Sequence, residues 1–90
     1  METEEKDVKR KEIRQRIGKR VAALRKHAGL SQEQLSEKAG LQRTHVSRIE
    51  KGRYSLNIET LQAIAEALGM TVDIIDPALQ DLAPLKRLAP

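Results

Sequence analysis

The stretch Ser31–Gly52, SQEQLSEKAGLQRTHVSRIEKG, reads as two short helices hinged at one glycine. Ser31 is an N-cap whose hydroxyl can accept a first-turn backbone N–H, and Gln34, three residues on, completes a capping-box pattern. Leu35 and Ala39 lie four apart and so share a face of the first helix. Gly40 falls where a left-handed residue would end that helix, a conformation glycine adopts without steric cost. Leu41 turns back toward a core, Gln42 is placed to cap the second helix, and Val46 and Ile49 give that helix a buried pair at i, i+3. Its opposite face carries Arg43, Thr44, Ser47, Arg48 and Lys51, with no large apolar group. A helix that buries two side chains and turns Arg, Thr, Ser and Arg outward is built to touch something polar.

Further marks stand at fixed spacing on either side: Leu24-Arg25, Gly29-Leu30-Ser31-Gln32, Leu35, Ala39-Gly40, Val46-Ser47-Arg48-Ile49-Glu50-x-Gly52 and Leu61-x-x-Ile64-Ala65-x-Ala67-Leu68-Gly69. Each alone is weak. Together, over about Ile17 to Ile75, the chain resembles the Cro/C1-repressor (XRE) type of helix-turn-helix. Two positions depart from that pattern: Ser36 replaces the usual alanine, and Leu56 stands where a proline often precedes the fourth helix. The resemblance implies an all-α, compact four- or five-helix, lambda-repressor-like DNA-binding domain.

Composition sets the bounds. Ninety residues allow one small domain, and a core without Phe or Trp and with a single Tyr must be built from Leu, Ile, Val and Ala. Such a core is modest, so dimerisation would add useful buried area. With no Cys there is no disulfide, thiol nucleophile or Cys-based zinc site. His27 and His45 fall on different helices, so no metal or cofactor set is expected. No phosphate-cradling glycine loop or paired carboxylate set appears, so the chain is not read as an enzyme. No apolar run approaches ~18 residues and the N-terminus is acidic, which makes a cytoplasmic protein without membrane attachment the expectation.

The net charge of +4 is unevenly spread: residues 1–7 carry −3, 8–20 carry +6, 21–56 carry +4 and 57–90 carry −3. Taken alone, the 8–20 run could be a solvated helical surface. Beside a basic reading helix it is better taken as a phosphate-contacting footprint.

In order, residues 1–7 read as a flexible acidic N-terminus and 8–69 as the DNA-binding domain. Ile13, Ile17, Val21, Leu24 and Ala28 give a first helix from about Val8 one apolar face, within which Gly18 costs up to ~1 kcal/mol against Ala and has no evident purpose. Asn57 can cap a fourth helix bearing Ile58, Leu61, Ile64, Ala65 and Leu68. Tyr54, in the preceding loop, is expected to pack over that loop.

Residues 70–90 form a strand or short helix and a tail, read as dimerising. Met70, Val72 and Ile74 alternate, and the β-branched content with the Asp76-Pro77 stop favours a short C-terminal β-strand. Family members often make a short fifth helix here, and Thr71 could cap one. A lone edge strand needs a partner, so Met70, Val72, Ile74 and Ile75 are the candidate dimerisation residues. The leucines of 77–90 likewise need a surface to bury against.

The second helix of the hinged pair would lie in the major groove, where each base pair presents a distinct donor and acceptor pattern. Arg43 and Arg48 suit bidentate contact to guanine, Thr44 a thymine methyl or base edge, and Ser47 close approach. The resemblance implies base reading by the residues at Arg43, Thr44 and Arg48, and a phosphate contact from Gln32 aided by its helix N-terminus. Lys51 and Arg53 are expected on the backbone, with His45 in packing or on a phosphate. The resemblance also implies that Arg25 and Glu50 pair as a structural clamp between the first and third helices. The reading is a dimeric, sequence-specific transcriptional regulator, repressing or autoregulating at an inverted repeat of double-stranded DNA. Two alternatives use the same fold: the antitoxin of a toxin–antitoxin pair, with a toxin as partner, and a module that bridges proteins.

Overall fold

The computed structural model of the protein describes residues 2–53 and 57–75, with side chains from Glu5 onward. The expectations for Tyr54, Leu56 and the 77–90 tail lie outside the described residues. Five helices follow in order: α1 Glu2–His27, α2 Gln32–Ala39, α3 Arg43–Glu50, α4 Ile58–Ala67 and α5 Val72–Ile75.

Local chemistry sets most of the boundaries. Ser31 Oγ accepts the Gln34 N–H at 3.0 Å, and Gln34 Oε1 accepts the Ser31 N–H at 2.8 Å, so the capping box is complete. Gly40 ends α2 at φ 70°, with its N–H donating to Glu37 O and the Leu41 N–H to Ser36 O. Asn57 Oδ1 accepts the Thr60 N–H at 2.8 Å and starts α4. Gln42 takes the N-cap position of α3 without a side-chain cap bond. Its extra methylene, relative to Asn, does not suit the tight fold-back that a capping oxygen must make.

α1 begins six residues before the expected start near Val8, so the acidic segment is part of the helix. Residues 2–17 contain no Gly or Pro, and acids stand four residues ahead of bases at Glu5/Lys9, Asp7/Lys11 and Glu12/Arg16, a spacing that favours helix.

One core joins all five helices. Ile17, Val21 and Leu24 of α1, Leu35 of α2, Val46 and Ile49 of α3, Leu61, Ile64 and Ala65 of α4, and Val72 and Ile75 of α5 are buried together. Leu30, Leu41, Leu68 and Met70 close its margin. Ser36 is buried as well, and its hydroxyl donates to Glu33 O at 2.7 Å, so the serine that replaces alanine brings no unsatisfied group inside. The apolar stripe of α1 is shorter than its periodicity suggests. Ile13 is 42% exposed and Ala28 is exposed, because the other helices cover only the turns between Ile17 and Leu24. Ile58 at the start of α4 is exposed for a similar reason.

The expected strand at Met70–Ile74 is a helix instead. Val72 and Ile75, three apart, share one helical face and enter the core at 6% and 2% exposure, whereas Ile74 is 40% exposed. A strand would have put Val72 and Ile74 on one side and left Ile75 out. The Ile74 N–H donates to Thr71 O, the Thr71 hydroxyl bonds the Asp73 carboxylate, and Arg20 Nε of α1 donates to Ile74 O at 3.1 Å. Val72 and Ile75 are therefore taken up within their own chain and are not free to pair with a second copy.

Gly18 gains a purpose in three dimensions. A Cβ built there would stand 2.3 Å from Ile49 O and 2.8 Å from Glu50 O. The missing side chain lets α1 touch the last carbonyls of α3.

Candidate nucleic-acid interface

α3 lies in this frame with Val46 and Ile49 fully inward. The rest of its surface follows from the helical period: Arg43, Thr44 and Arg48 are exposed, Ser47 is half-buried between them, and Lys51 is exposed at the end of the same face. Eight residues make an element about 12 Å long, short enough to enter a groove with both ends reaching its walls. His45 is half-buried at the flank of that face. Arg53, exposed just beyond the helix, donates its backbone N–H to Arg48 O at 2.9 Å.

The pitch of α3 is held by a charged network at its base. Arg25 Nε donates to Glu50 Oε2 at 2.7 Å and Nη2 to Oε1 at 3.0 Å, a two-pronged pair. Its remaining arm, Nη1, donates to Leu30 O at 2.8 Å in the turn between α1 and α2. Both side chains are largely withdrawn from water, at 11% and 7% exposure. The hydrogen bonds it donates to Glu50 keep Arg25 more firmly charged than an ordinary guanidinium, outweighing the opposing effect of burial. Arg25 thus ties α1, the following turn and α3 together.

Gln32 joins the same network. Its Nε2 donates to Glu50 Oε1 at 3.1 Å, so the first residue of α2 is fixed against the last residue of α3. One amide hydrogen and the carbonyl oxygen of Gln32 are not used by that bond. Its role in the clamp was not legible in the sequence, where it stood out only as a phosphate candidate. Gly18 and Gln15, the α1 residues on which the end of α3 rests, were missed as well. A glycine that interrupts an otherwise helix-favouring run was the one available signal for Gly18.

The structure brings Arg43, Thr44, Ser47, Arg48 and Lys51 onto one surface, and sets Arg25, Glu50 and Gln32 beneath it. It does not bring Met70, Val72, Ile74 and Ile75 onto one: Met70 is half-buried and Ile74 exposed, while the other two are interior. Among the described residues no helix is long and apolar enough to cross a membrane.

Known proteins resemble this chain in sequence and fold. A family profile described as helix-turn-helix matches residues 21–75, more than half of the chain. The immunity repressor protein of Bacillus phage phi105 is 46% identical over 59 residues, which span 66% of this chain and 41% of the repressor. The chain thus corresponds to less than half the length of that relative. The control protein C.SmaI of Serratia marcescens is 34% identical over 61 residues, 68% of this chain and 73% of that protein. Among solved structures, the restriction-modification controller protein C.AhdI from Aeromonas hydrophila superposes with a TM-score of 0.68 at 31% identity, covering 69% of this chain and 94% of that one. Matched over its core, its hinge and its outward-facing third helix, the chain belongs to the helix-turn-helix family of the Cro/C1-repressor type.

Proposed function

We propose that this chain is a sequence-specific DNA-binding transcriptional regulator that represses by occupying an operator, with α3 in the major groove. The observation that carries the reading is the outward face of α3, where Arg43, Thr44, Ser47 and Arg48 stand clear of large apolar groups beside a part-buried Arg25–Glu50 clamp. Arg43 and Arg48 would take guanine edges, Thr44 a base edge or thymine methyl, and Ser47 would permit close approach. Gln32, Lys51 and Arg53 would hold phosphates, with His45 at the margin of the footprint. The unused N–H of Gln32 can serve a phosphate while its partner N–H stays on Glu50. The names of an immunity repressor and a control protein among the relatives support the regulatory role.

A single module of this size buries too little surface for tight binding, so the operator is read by a homodimer on half-sites about 34 Å apart. Of the candidate dimerisation residues, Ile74 is exposed and Met70 half-buried, and these two would carry the contact between copies. The antitoxin alternative drew on the small size of the chain and on a strand-like tail, and with Val72–Ile75 helical the second of these motives is gone. Its work would be done in the cytoplasm, on genomic DNA.

The test is selection of bound fragments from genomic DNA by the purified protein at two salt concentrations. The expected outcome is enrichment of an inverted repeat, with Arg43→Ala and Arg48→Ala each weakening binding by ~1–3 kcal/mol and relaxing preference at one position. Binding without any enriched motif, or both variants keeping the wild-type motif and affinity, would sink the reading and favour a protein-bridging role.

A further inference from the structure

α5 turns one apolar side chain to solvent, Ile74 at 40% exposure, and opposite charges stand at its two ends. Asp73 lies in its first turn, half-buried, with one carboxylate oxygen held by the Thr71 hydroxyl. At the other end Arg20 of α1 is exposed, and its Nε donates to Ile74 O at 3.1 Å. Helical side chains lean toward the start of their helix and carbonyls point toward its end. The acid therefore sits at the entry to α5 and the guanidinium at its exit, with Ile74 between them.

Each charged group is fixed in place yet only partly used. Among the described residues, neither the second oxygen of Asp73 nor the two Nη arms of Arg20 has a hydrogen bond, and no ion pair joins Arg20 to Asp73 within the chain. A surface with one acid and one base on either side of an apolar residue is complementary to itself. A ligand of a single sign would be repelled at one end, whereas a second copy meets both. In a two-fold pair, residue i meets j while j meets i. A two-fold at Ile74 that sets the α5 turns antiparallel brings each Asp73 against the partner's Arg20. Apolar burial is non-directional, so Ile74 and Met70 alone would not fix how two copies are turned; paired charges fix it.

We propose that Arg20 and Asp73 determine the specificity of the homodimer, Arg20 of each copy bonding Asp73 of the other on either side of the point where the two Ile74 side chains meet. The proposal rests on dimerisation through α5 and adds to it two residues outside the apolar set.

The test uses Arg20→Glu and Asp73→Arg in the full chain, with dimer dissociation constants from sedimentation, and with folding checked by far-UV circular dichroism and thermal denaturation. Each variant meets its own copy with like charges at both contacts, so its dissociation constant should rise roughly 30-fold or more. Mixed in equal amounts, the two variants should form a heterodimer of near wild-type affinity, because every contact in the mixed pair joins opposite charges. An ion pair formed within one chain would give no such rescue. Two folded variants that keep the wild-type dissociation constant, or that stay apart when mixed, would overturn the proposal. Should charge reversal prevent folding, Arg20→Gln and Asp73→Asn replace it: each should weaken the dimer several-fold and the double variant no further, while additive losses would overturn the pairing. Dissociation by Ile74→Glu with both charge variants still dimeric would remove the ion pair and leave the α5 interface standing. A wild-type chain that stays monomeric would remove both.

Discussion

Gly18 and Gly40 are both glycines in a helical neighbourhood, yet they are needed for opposite reasons. At Gly40 the backbone is left-handed and a Cβ would meet nothing within 4 Å, so the demand is purely conformational. At Gly18 the helix is regular and the demand is for space against Ile49 O and Glu50 O. Gly40→Ala should cost about 1–2 kcal/mol through the left-handed conformation, with Gly40→Asn recovering part of it. Gly18→Ala gains up to ~1 kcal/mol of helix propensity but forces backbone carbonyls apart, an overpacking cost typically of ~1–3 kcal/mol. With contacts this short, the expected outcome is net destabilisation, and Gly18→Asn should be worse than Gly18→Ala. Urea denaturation of the four variants checks the pattern, and a stabilised Gly18→Ala would refute the close-approach account. Residues whose roles are local were legible from the sequence: Ser31, Gly40 and Asn57 act on backbone groups within three residues. Gly18 and Gln32 were not, because their partners, the last residues of α3, lie 18 to 32 residues away in sequence.

At the scale of elements, the periodicity of α1 gave the correct face but not its covered length. Ile13 belongs to the same stripe as Ile17, and which turns are covered depends on where α3 and α5 end, which no local pattern contains. The segment after Gly69 shows the opposite failure. Its β-branched residues favour a strand, yet one helical turn lets both Val72 and Ile75 reach the core, and burial outweighs propensity over so short a stretch. The two conformations make different mutational predictions. In the helix, Ile75→Ala should cost ~2–4 kcal/mol and Ile74→Ala well under 1 kcal/mol. Thermal denaturation of both variants is the measurement, and a larger loss from Ile74→Ala would point back to the alternating pattern.

At the scale of the whole molecule, a 10.1 kDa chain with an aliphatic core has little stability in reserve. Association that covers Ile74 and Met70 would add to it by mass action. Sedimentation should then give a concentration-dependent dimer, and Ile74→Glu should shift it to monomer. The same variant should weaken operator binding strongly while leaving the monomer's fold within about 0.5 kcal/mol, since Ile74 is outside the core. A wild-type chain that stays monomeric while binding an inverted repeat would rule this interface out. The overall fold was readable because its signals repeat along the chain, in caps, hinge and aliphatic stripes.

The glycine-to-carbonyl contact between α1 and α3 has a bearing on how such a protein could change its target. The attitude of α3 is set from behind, by main-chain atoms at Gly18 and the Arg25–Glu50 pair, none of which is on the proposed reading face. Arg43, Thr44, Ser47 and Arg48 can therefore be exchanged as an interchangeable set without re-engineering the mount that carries them. Under the proposed reading, a new vocabulary of operators is open to this scaffold at little risk to its folding, and redesign of its preference should begin with those four positions and stop short of the hinge.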